Sequence, residues 1–160
     1  MGAKPNTHSP YETVLFDLDG TLLDTAEEIT ISLGFALETH LGSTPGWAAL
    51  TQGIGTPLEY QLKAHARSQL GTDAPKRLID EMAATFIEHN NGRHDETVAP
   101  FAHAYETLKH LSNLGVKLGI VTSKPHDLAV RGLEITKLSP FFKVVIGADN
   151  VRFHKPHPEP

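Results

Sequence analysis

The tightest constraint on the fold of this chain is a short apolar run that ends in two carboxylates, Val14-Leu15-Phe16-Asp17-Leu18-Asp19. Its first three residues predict a short buried strand. Side chains at positions i and i+2 of an extended segment point the same way, so Asp17 and Asp19 should face one spot. Such a pair is costly unless a cation neutralises it or one member holds a proton, and both arrangements suit chemistry on phosphate. The alternative is a plain strand end with an Asp-Gly turn.

The partners of this strand are predicted to come from the end of the chain, where the pattern alternates after Pro100. A helix is predicted over 101–114, a strand over 116–121, a helix over 126–137 and a strand over 142–146. Strand, helix and strand at this spacing indicate a βαβ crossover in a parallel sheet. Parallel sheets place their sites at the carboxyl ends of the strands, so Thr122 and Ser123 should lie beside Asp17.

The intervening stretch, residues 26–95, shows helical spacing throughout. The first helix is predicted over 26–41 with Gly42 as its stop. Thr56-Pro57-Leu58-Glu59 predicts a capping box that opens a second helix, which should run to about Leu70. A third helix should begin near residues 73–75 and fade at Asn90-Asn91-Gly92. The stretch is either a satellite bundle inserted into the core or simply three helices of one domain.

The run over residues 17–25, Asp17-Leu18-Asp19-Gly20-Thr21-Leu22-Leu23-Asp24-Thr25, resembles the nucleophile motif of the haloacid dehalogenase (HAD) superfamily. The resemblance implies that Asp17 is the nucleophile and Asp19 the general acid/base. It also implies Mg²⁺ as the cofactor, held by the carboxylate of Asp17 and the backbone carbonyl of Asp19. Gly20 would permit a sharp turn close to the substrate, and Thr21 would offer a hydroxyl to it.

Two further segments resemble HAD motifs in the expected order. Thr122, after an apolar strand, matches the second motif, and Ser123 beside it would help to cradle phosphate. Lys155-Pro156-His157-Pro158 matches the third motif, whose Lys reaches the phosphate and the nucleophile. Lys124 is a rival for that role, and the Lys-Pro-x-Pro context favours Lys155. In the helical stretch, Gly55 and Thr56 belong to a loop that either contacts the leaving group or is a flexible glycine hinge.

The fold class that the resemblance implies is α/β, a HAD-like Rossmannoid parallel sheet with an inserted helical cap of the C1 type. The domains would then be a flexible leader over 1–12, an incomplete core over 13–25 and 96–160, and the cap over 26–95. Within the superfamily, the chain is most similar to phosphoglycolate phosphatases and HAD-type pyrophosphatases.

The activity implied is Mg²⁺-dependent hydrolysis of a small phosphorylated metabolite, phosphoglycolate-like or pyrophosphate, through an aspartyl-phosphate. A phosphomutase on the same scaffold and a non-catalytic fragment are the alternatives. The family's fourth motif, Gly-Asp-x-x-x-Asp, has no counterpart before Pro160, where Glu159 is the only acidic residue after Lys155. We therefore expect a truncated core of weak or no activity, which self-associates through an open sheet edge.

Composition narrows the partners. The formal net charge is −5 over 160 residues and no basic run is present, so nucleic-acid binding is not expected. The chain has no cysteine, which excludes disulfides and thiolate sites and fits a cytoplasmic protein. Since no long apolar run occurs, neither a signal peptide nor a membrane span is predicted.

Overall fold

The computed structural model describes residues 9–160, so residues 1–8 of the predicted leader lie outside the described residues. The described part contains five strands: β1 Thr13–Phe16, β2 Leu23–Asp24, β3 Ala99–Pro100, β4 Lys117–Val121 and β5 Phe142–Ile146. Its α-helices are α1 Ala26–Leu41, α2 Trp47–Thr51, α3 Leu58–Leu70, α4 Lys76–Thr97, α5 Ala104–Asn113 and α6 His126–Ile135. Within residues 9–160, every helix is too short or too polar to span a lipid bilayer.

The predicted parallel sheet is confirmed, with the strand order β1-β4-β5. Phe16 of β1 lies opposite Ile120 of β4, and Val121 of β4 lies opposite Ile146 of β5. Strand β4 is central, and its interior residues are buried in the core formed with α5 and α6. Because all three strands run in the same direction, the residues that follow β1 and β4 meet at one edge of the sheet.

A second, two-stranded ribbon carries the chain into and out of the helical segment. Leu23 pairs with Pro100 and Asp24 pairs with Ala99, in antiparallel register. The backbone N–H of Phe101 continues the ribbon by donating to the carbonyl of Leu22 at 2.9 Å. The points at which the chain enters and leaves the helical segment therefore lie side by side. The entry point directly follows the turn after Asp17 and Asp19.

Helices α1 to α4 enclose a hydrophobic core of their own, separate from the one under the sheet. Seven buried residues form it: Leu33, Leu37, Leu50, Leu62, Ala66, Ile79 and Met82. Helix α1 coincides with the predicted bounds, and Gly42 ends it in the left-handed conformation with φ of +72°. The predicted domain boundaries at residues 26 and 95 stay a prediction, although the chain does change from one core to the other near them.

Two local predictions in this segment are wrong. Helix α4 does not fade at Asn90-Asn91-Gly92 but continues to Thr97, because Asn90 and His94 are both buried by tertiary packing. The capping box at Thr56 does not form either. Pro57 occupies the cap position of α3, and the Thr56 hydroxyl instead donates to the carbonyl of Gly53 at 2.7 Å.

Candidate active site

Asp17 directly follows β1 and is held from two sides. The backbone N–H of Leu18 donates to its Oδ1 at 2.8 Å, and the Lys155 ammonium lies 2.9 Å from its Oδ2. Lys155 Nζ also donates to the backbone carbonyl of Val121, at the end of β4, at 3.3 Å. The third-motif lysine therefore spans the two strand ends and neutralises the first carboxylate.

Asp19 has a different set of partners. Its Oδ1 accepts a hydrogen bond from the Thr25 hydroxyl at 2.8 Å. The ammonium of Lys124 lies 3.1 Å from Oδ1 and 3.3 Å from Oδ2. Each carboxylate of the Asp-x-Asp pair thus has its own lysine, which offsets the repulsion between two anions at one strand end.

The end of β4 supplies hydroxyl groups to the same place. Thr122 is buried, and its Oγ1 accepts a hydrogen bond from the backbone N–H of Lys124 at 3.1 Å. Ser123 donates from its hydroxyl to the backbone carbonyl of Gly55 at 3.0 Å. This bond joins the sheet directly to the loop before α3, so the loop lies over the strand ends.

A cavity of about 310 Å³ separates the strand ends from the helices. Its floor includes Asp17, Asp19, Thr122, Ser123 and Lys124, and the loop residues Gly55 and Thr56 form part of its roof. The rest of the roof comes from α1, α3 and α4. It combines the apolar side chains of Ile29, Leu58, Phe86 and Ile87 with the polar ones of Glu59, Gln61, Asn90 and Asn91. The cavity therefore combines a charged floor with a roof of apolar and polar side chains, as small-molecule sites commonly do.

Gly20 and Thr21 do not line this cavity. Both are exposed and form the turn that returns the chain to the ribbon, where the Gly20 N–H donates to the carbonyl of Leu23 at 2.9 Å. Gly20 has φ of +75°, a conformation that favours glycine, so this residue shapes the turn. Lys155 also lies outside the cavity lining and reaches the site only through its contact with Asp17.

Six polar residues that line the cavity were not chosen as site residues from the sequence: Glu59, Gln61, Asn90, Asn91, Lys124 and His154. Lys124 had one signal, its position directly after Thr122 and Ser123 at a strand end. Gln61 donates from Nε2 to the carbonyl of Thr56 at 2.8 Å and so holds the loop from the helix side. Asn90 lies on α4 beyond the predicted fading point, and no local pattern marks either amide.

The helical segment is also attached to the sheet side through the end of α4. Asp95 of α4 forms an ion pair with Arg131 of α6, and the His94 ring, buried against α6, lies 3.3 Å from the same carboxylate. The hydrogen bond from Arg131, followed by that from His94, holds the pKa of Asp95 below its ordinary value. This contact and the Ser123–Gly55 bond join the helical segment to the sheet at two separate points.

The donor set at the strand end suits a hard divalent cation. Mg²⁺ in enzymes usually takes one or two carboxylates and completes its octahedron with water and substrate phosphate. Asp17 and Asp19 provide two carboxylates to the lining of one cavity. Within residues 9–160, no group of three or more acidic or histidine side chains could enclose a metal on its own. The residues therefore fit an open site and not a closed structural one.

Comparisons with known proteins agree with this arrangement. The sequence profile of the family described as "Haloacid dehalogenase-like hydrolase" matches residues 14–160. A pyrophosphatase PpaX of Halalkalibacterium halodurans is 41% identical over 152 residues, which covers 92% of this chain and 65% of the relative. A pyrophosphatase PpaX of Bacillus pumilus is 38% identical, covering 95% and 66%. The chain thus spans about two thirds of the length of these curated relatives.

Solved structures share the fold. A predicted phosphoglycolate phosphatase from Haemophilus somnus superposes with a TM-score of 0.82 at 22% identity, covering 94% of this chain and 68% of the other. A predicted phosphatase from Clostridium acetobutylicum superposes with a TM-score of 0.74 at 27% identity, covering 87% and 62%. The predicted fold class, a HAD-like parallel sheet with an inserted helical segment, is confirmed by these neighbours.

Proposed function

Because the chain belongs to the haloacid dehalogenase-like hydrolase family, we propose that it hydrolyses a small phosphorylated metabolite through an aspartyl-phosphate on Asp17. The observation that carries the proposal is the floor of the cavity. Two carboxylates, each with its own lysine, line the same cavity as Thr122, under the roof that the helical segment forms. This arrangement supplies a nucleophile, a proton carrier and positive charge in one place.

In the first step, a carboxylate oxygen of Asp17 attacks phosphorus, and the bond from phosphorus to the leaving-group oxygen breaks. Asp19 donates its proton to that oxygen, so the leaving group departs as a neutral alcohol or a protonated phosphate. In the second step, Asp19 takes a proton from water, and the water oxygen attacks the phosphoryl group. The bond from phosphorus to the Asp17 oxygen breaks, orthophosphate departs, and Asp17 is again a free carboxylate.

The other residues of the site stabilise charge and orient the phosphoryl group. The ammonium of Lys155, 2.9 Å from Asp17, offsets the negative charge that accumulates when a phosphoryl group approaches this carboxylate. The hydroxyl of Thr122 would donate to a phosphoryl oxygen, since positioning and electrostatics do most of the work in phosphoryl transfer. Asp17 and the backbone carbonyl of Asp19 would hold Mg²⁺, which when bound supplies positive charge against the phosphate oxygens.

The substrates we propose are phosphoglycolate-like esters or pyrophosphate, the compounds that the names of similar proteins indicate. The leaving group would occupy the space beneath Gly55 and Thr56. The roof over this space comes from the helical segment, and the Ser123–Gly55 hydrogen bond keeps it in contact with the sheet. Closure of this roof would exclude water from the phosphoryl group.

The test is phosphate release from 2-phosphoglycolate and from pyrophosphate, with added Mg²⁺ and with a chelator. We expect turnover that depends on Mg²⁺ and that Asp17→Asn removes, because this change keeps the side-chain volume and deletes only the anionic nucleophile. Asp24→Asn is the matched control, since Asp24 belongs to the same sequence motif but is exposed on the ribbon. It should leave turnover within about threefold of the unmodified protein.

A phosphoryl label identifies the nucleophile directly. Beryllofluoride, or an isotopically marked phosphoryl group trapped by rapid quenching, should mark Asp17. A label on Asp19 or Asp24, or unchanged turnover in Asp17→Asn, would contradict the proposal.

A further inference from the structure

Lys124 is the cavity residue whose contacts go beyond what phosphate binding requires. It is only 8% exposed, although lysine is rarely buried without a partner. Its ammonium bonds both oxygens of Asp19, at 3.1 and 3.3 Å. Within the described residues, this carboxylate is its ion-pair partner, whereas Lys155 pairs with Asp17.

The backbone around Lys124 is fixed from three directions. Its N–H donates to the Thr122 hydroxyl at 3.1 Å, and its carbonyl accepts from the N–H of Ala148 at 2.9 Å. Gly147 packs so closely that a β-carbon there would lie 2.9 Å from the same carbonyl. Because the backbone between the ends of β4 and β5 cannot shift freely, the ammonium is presented to Asp19 from a rigid base.

The carboxylate of Asp19 is consequently held by two side chains, those of Thr25 and Lys124. The Thr25 hydroxyl bonds Oδ1 from the helical side at 2.8 Å, and Lys124 bonds both oxygens from the sheet side. Two donors on different elements leave the Asp19 side chain little rotational freedom. A group that donates its proton to one particular oxygen atom of the substrate requires such a fixed orientation.

We propose that Lys124 is a positioning residue that acts through Asp19 and fixes the direction of proton transfer to the leaving group. The inference rests on the proposed function, in which Asp19 is the general acid/base. The two lysines then have separate roles. Lys155 offsets the charge at the nucleophile Asp17, and Lys124 orients the general acid Asp19. A lysine that only bound phosphate would affect all substrates alike, and this difference provides the test.

The discriminating measurement compares two leaving groups. p-Nitrophenolate departs as a stable anion and needs no proton, whereas the alkoxide of 2-phosphoglycolate does need one. General acid catalysis contributes about 10²–10⁴-fold. Because Asp19 also activates water in the second step, the quantity compared is the rate constant of the first step, measured by rapid quenching as aspartyl-phosphate formation or as the burst of released leaving group. Lys124→Met should lower this rate constant for 2-phosphoglycolate by about 100-fold. It should change the first-step rate constant for p-nitrophenyl phosphate by less than about threefold, because p-nitrophenolate leaves without a proton. Lys124→Arg should recover part of the loss on 2-phosphoglycolate.

Lys76→Met is the matched control. It removes the same group from an exposed ion pair with Asp80 on α4, and it should leave the first-step rate constants for both substrates unchanged. Equal losses in the first-step rate constants for the two substrates in Lys124→Met would overturn the inference, because a folding defect or a phosphate-binding role acts on both.

A second measurement requires no turnover. In ¹⁵N-labelled protein, the buried ammonium of Lys124 should exchange its protons slowly and give a side-chain NMR signal that Lys124→Met deletes. Asp19→Asn should shift or remove this signal, and persistence without change would overturn the inference. If the unmodified protein released phosphate from neither substrate, the proposed function would fail, and the NMR result alone would decide whether Lys124 positions Asp19.

Discussion

Gly147→Ala tests how rigidly the active-site floor is built. Gly147 follows β5 with φ of −94° and ψ of 173°, a conformation that alanine adopts without strain. The added β-carbon, however, would lie 2.4 Å from the backbone nitrogen and 2.6 Å from the Cα of His126. These are backbone atoms, so no side-chain rotation can relieve the overlap. The end of β5 must move away from the segment that carries Lys124.

The expected cost follows from these contacts. Inserting a methyl group into a tightly packed site costs about 1–3 kcal/mol. The movement of the end of β5 also weakens the hydrogen bond from the N–H of Ala148 to the carbonyl of Lys124. Such a hydrogen bond is worth about 1 kcal/mol. We therefore expect the free energy of unfolding to fall by about 3 kcal/mol, which corresponds to a melting temperature lower by roughly 6–12 °C for a chain of this size. Turnover should fall as well, because Lys124 is displaced from Asp19.

The assay is urea denaturation followed by circular dichroism, with Gly92→Ala as the opposite control. Gly92 lies inside α4, and a β-carbon there would meet nothing within 4 Å. Alanine is the better helix former, so this change should raise the free energy of unfolding by about 0.5–1 kcal/mol. Equal urea midpoints for Gly147→Ala and the unmodified protein would refute the reasoning about the floor.

Two further predictions concern the contacts between the helical segment and the sheet. Ser123→Ala removes the hydrogen bond to Gly55, worth about 1 kcal/mol, so amide exchange over residues 53–57 should become about fivefold faster by mass spectrometry; unchanged exchange would contradict the placement of this loop. Arg131→Gln removes the partner that lowers the pKa of Asp95. A carboxyl group whose pKa is lowered in the folded protein stabilises the fold when the pH is above the ordinary carboxyl pKa. This stabilisation disappears as the pH falls through the lowered pKa. The difference in urea midpoint between Arg131→Gln and the unmodified protein should therefore be present at neutral pH and vanish in acid, and a difference independent of pH would argue against the pairing.

The sheet and the first helix could be predicted because their signals are local. The bounds of α1 coincide with residues 26–41, since apolar residues recur at helical spacing and Gly42 provides a stop. Asp17 and Thr122 are brought to one cavity because parallel pairing places the carboxyl ends of β1 and β4 together. In both cases a short-range pattern and one rule of sheet geometry were sufficient.

The end of α4 could not be predicted because its cause is tertiary. Asn90-Asn91-Gly92 is a poor helical sequence, and glycine in a helix costs about 1 kcal/mol. Burial of Asn90 beside Ser32 and of His94 against α6 offsets this cost, and neither partner is near in sequence. The pairing of Lys124 with Asp19 was missed for the same reason, since the two residues are 105 positions apart.

The capping box failed for a local reason. Thr56 has the side chain that an N-cap requires, but Pro57 takes the cap position with ψ of 140°, which moves Thr56 one residue outside the helix. Its hydroxyl then bonds the carbonyl of Gly53 and closes the loop on itself. The same four residues thus shape the roof of the cavity, and α3 begins without the side-chain cap that the sequence predicted.

The ribbon of β2 and β3 makes the helical segment an exchangeable part. Paired strands lie only about 5 Å apart, so the two ends of the segment are as close as the ends of a hairpin turn. A short turn between Asp24 and Ala99 could replace all four helices without rerouting the sheet. Longer or different inserts would add little closure entropy, because that cost grows only with the logarithm of length. If the helical segment contacts the leaving group as proposed, substrate choice would diversify by replacement of one segment, while the carboxylates and lysines beneath it stay as they are.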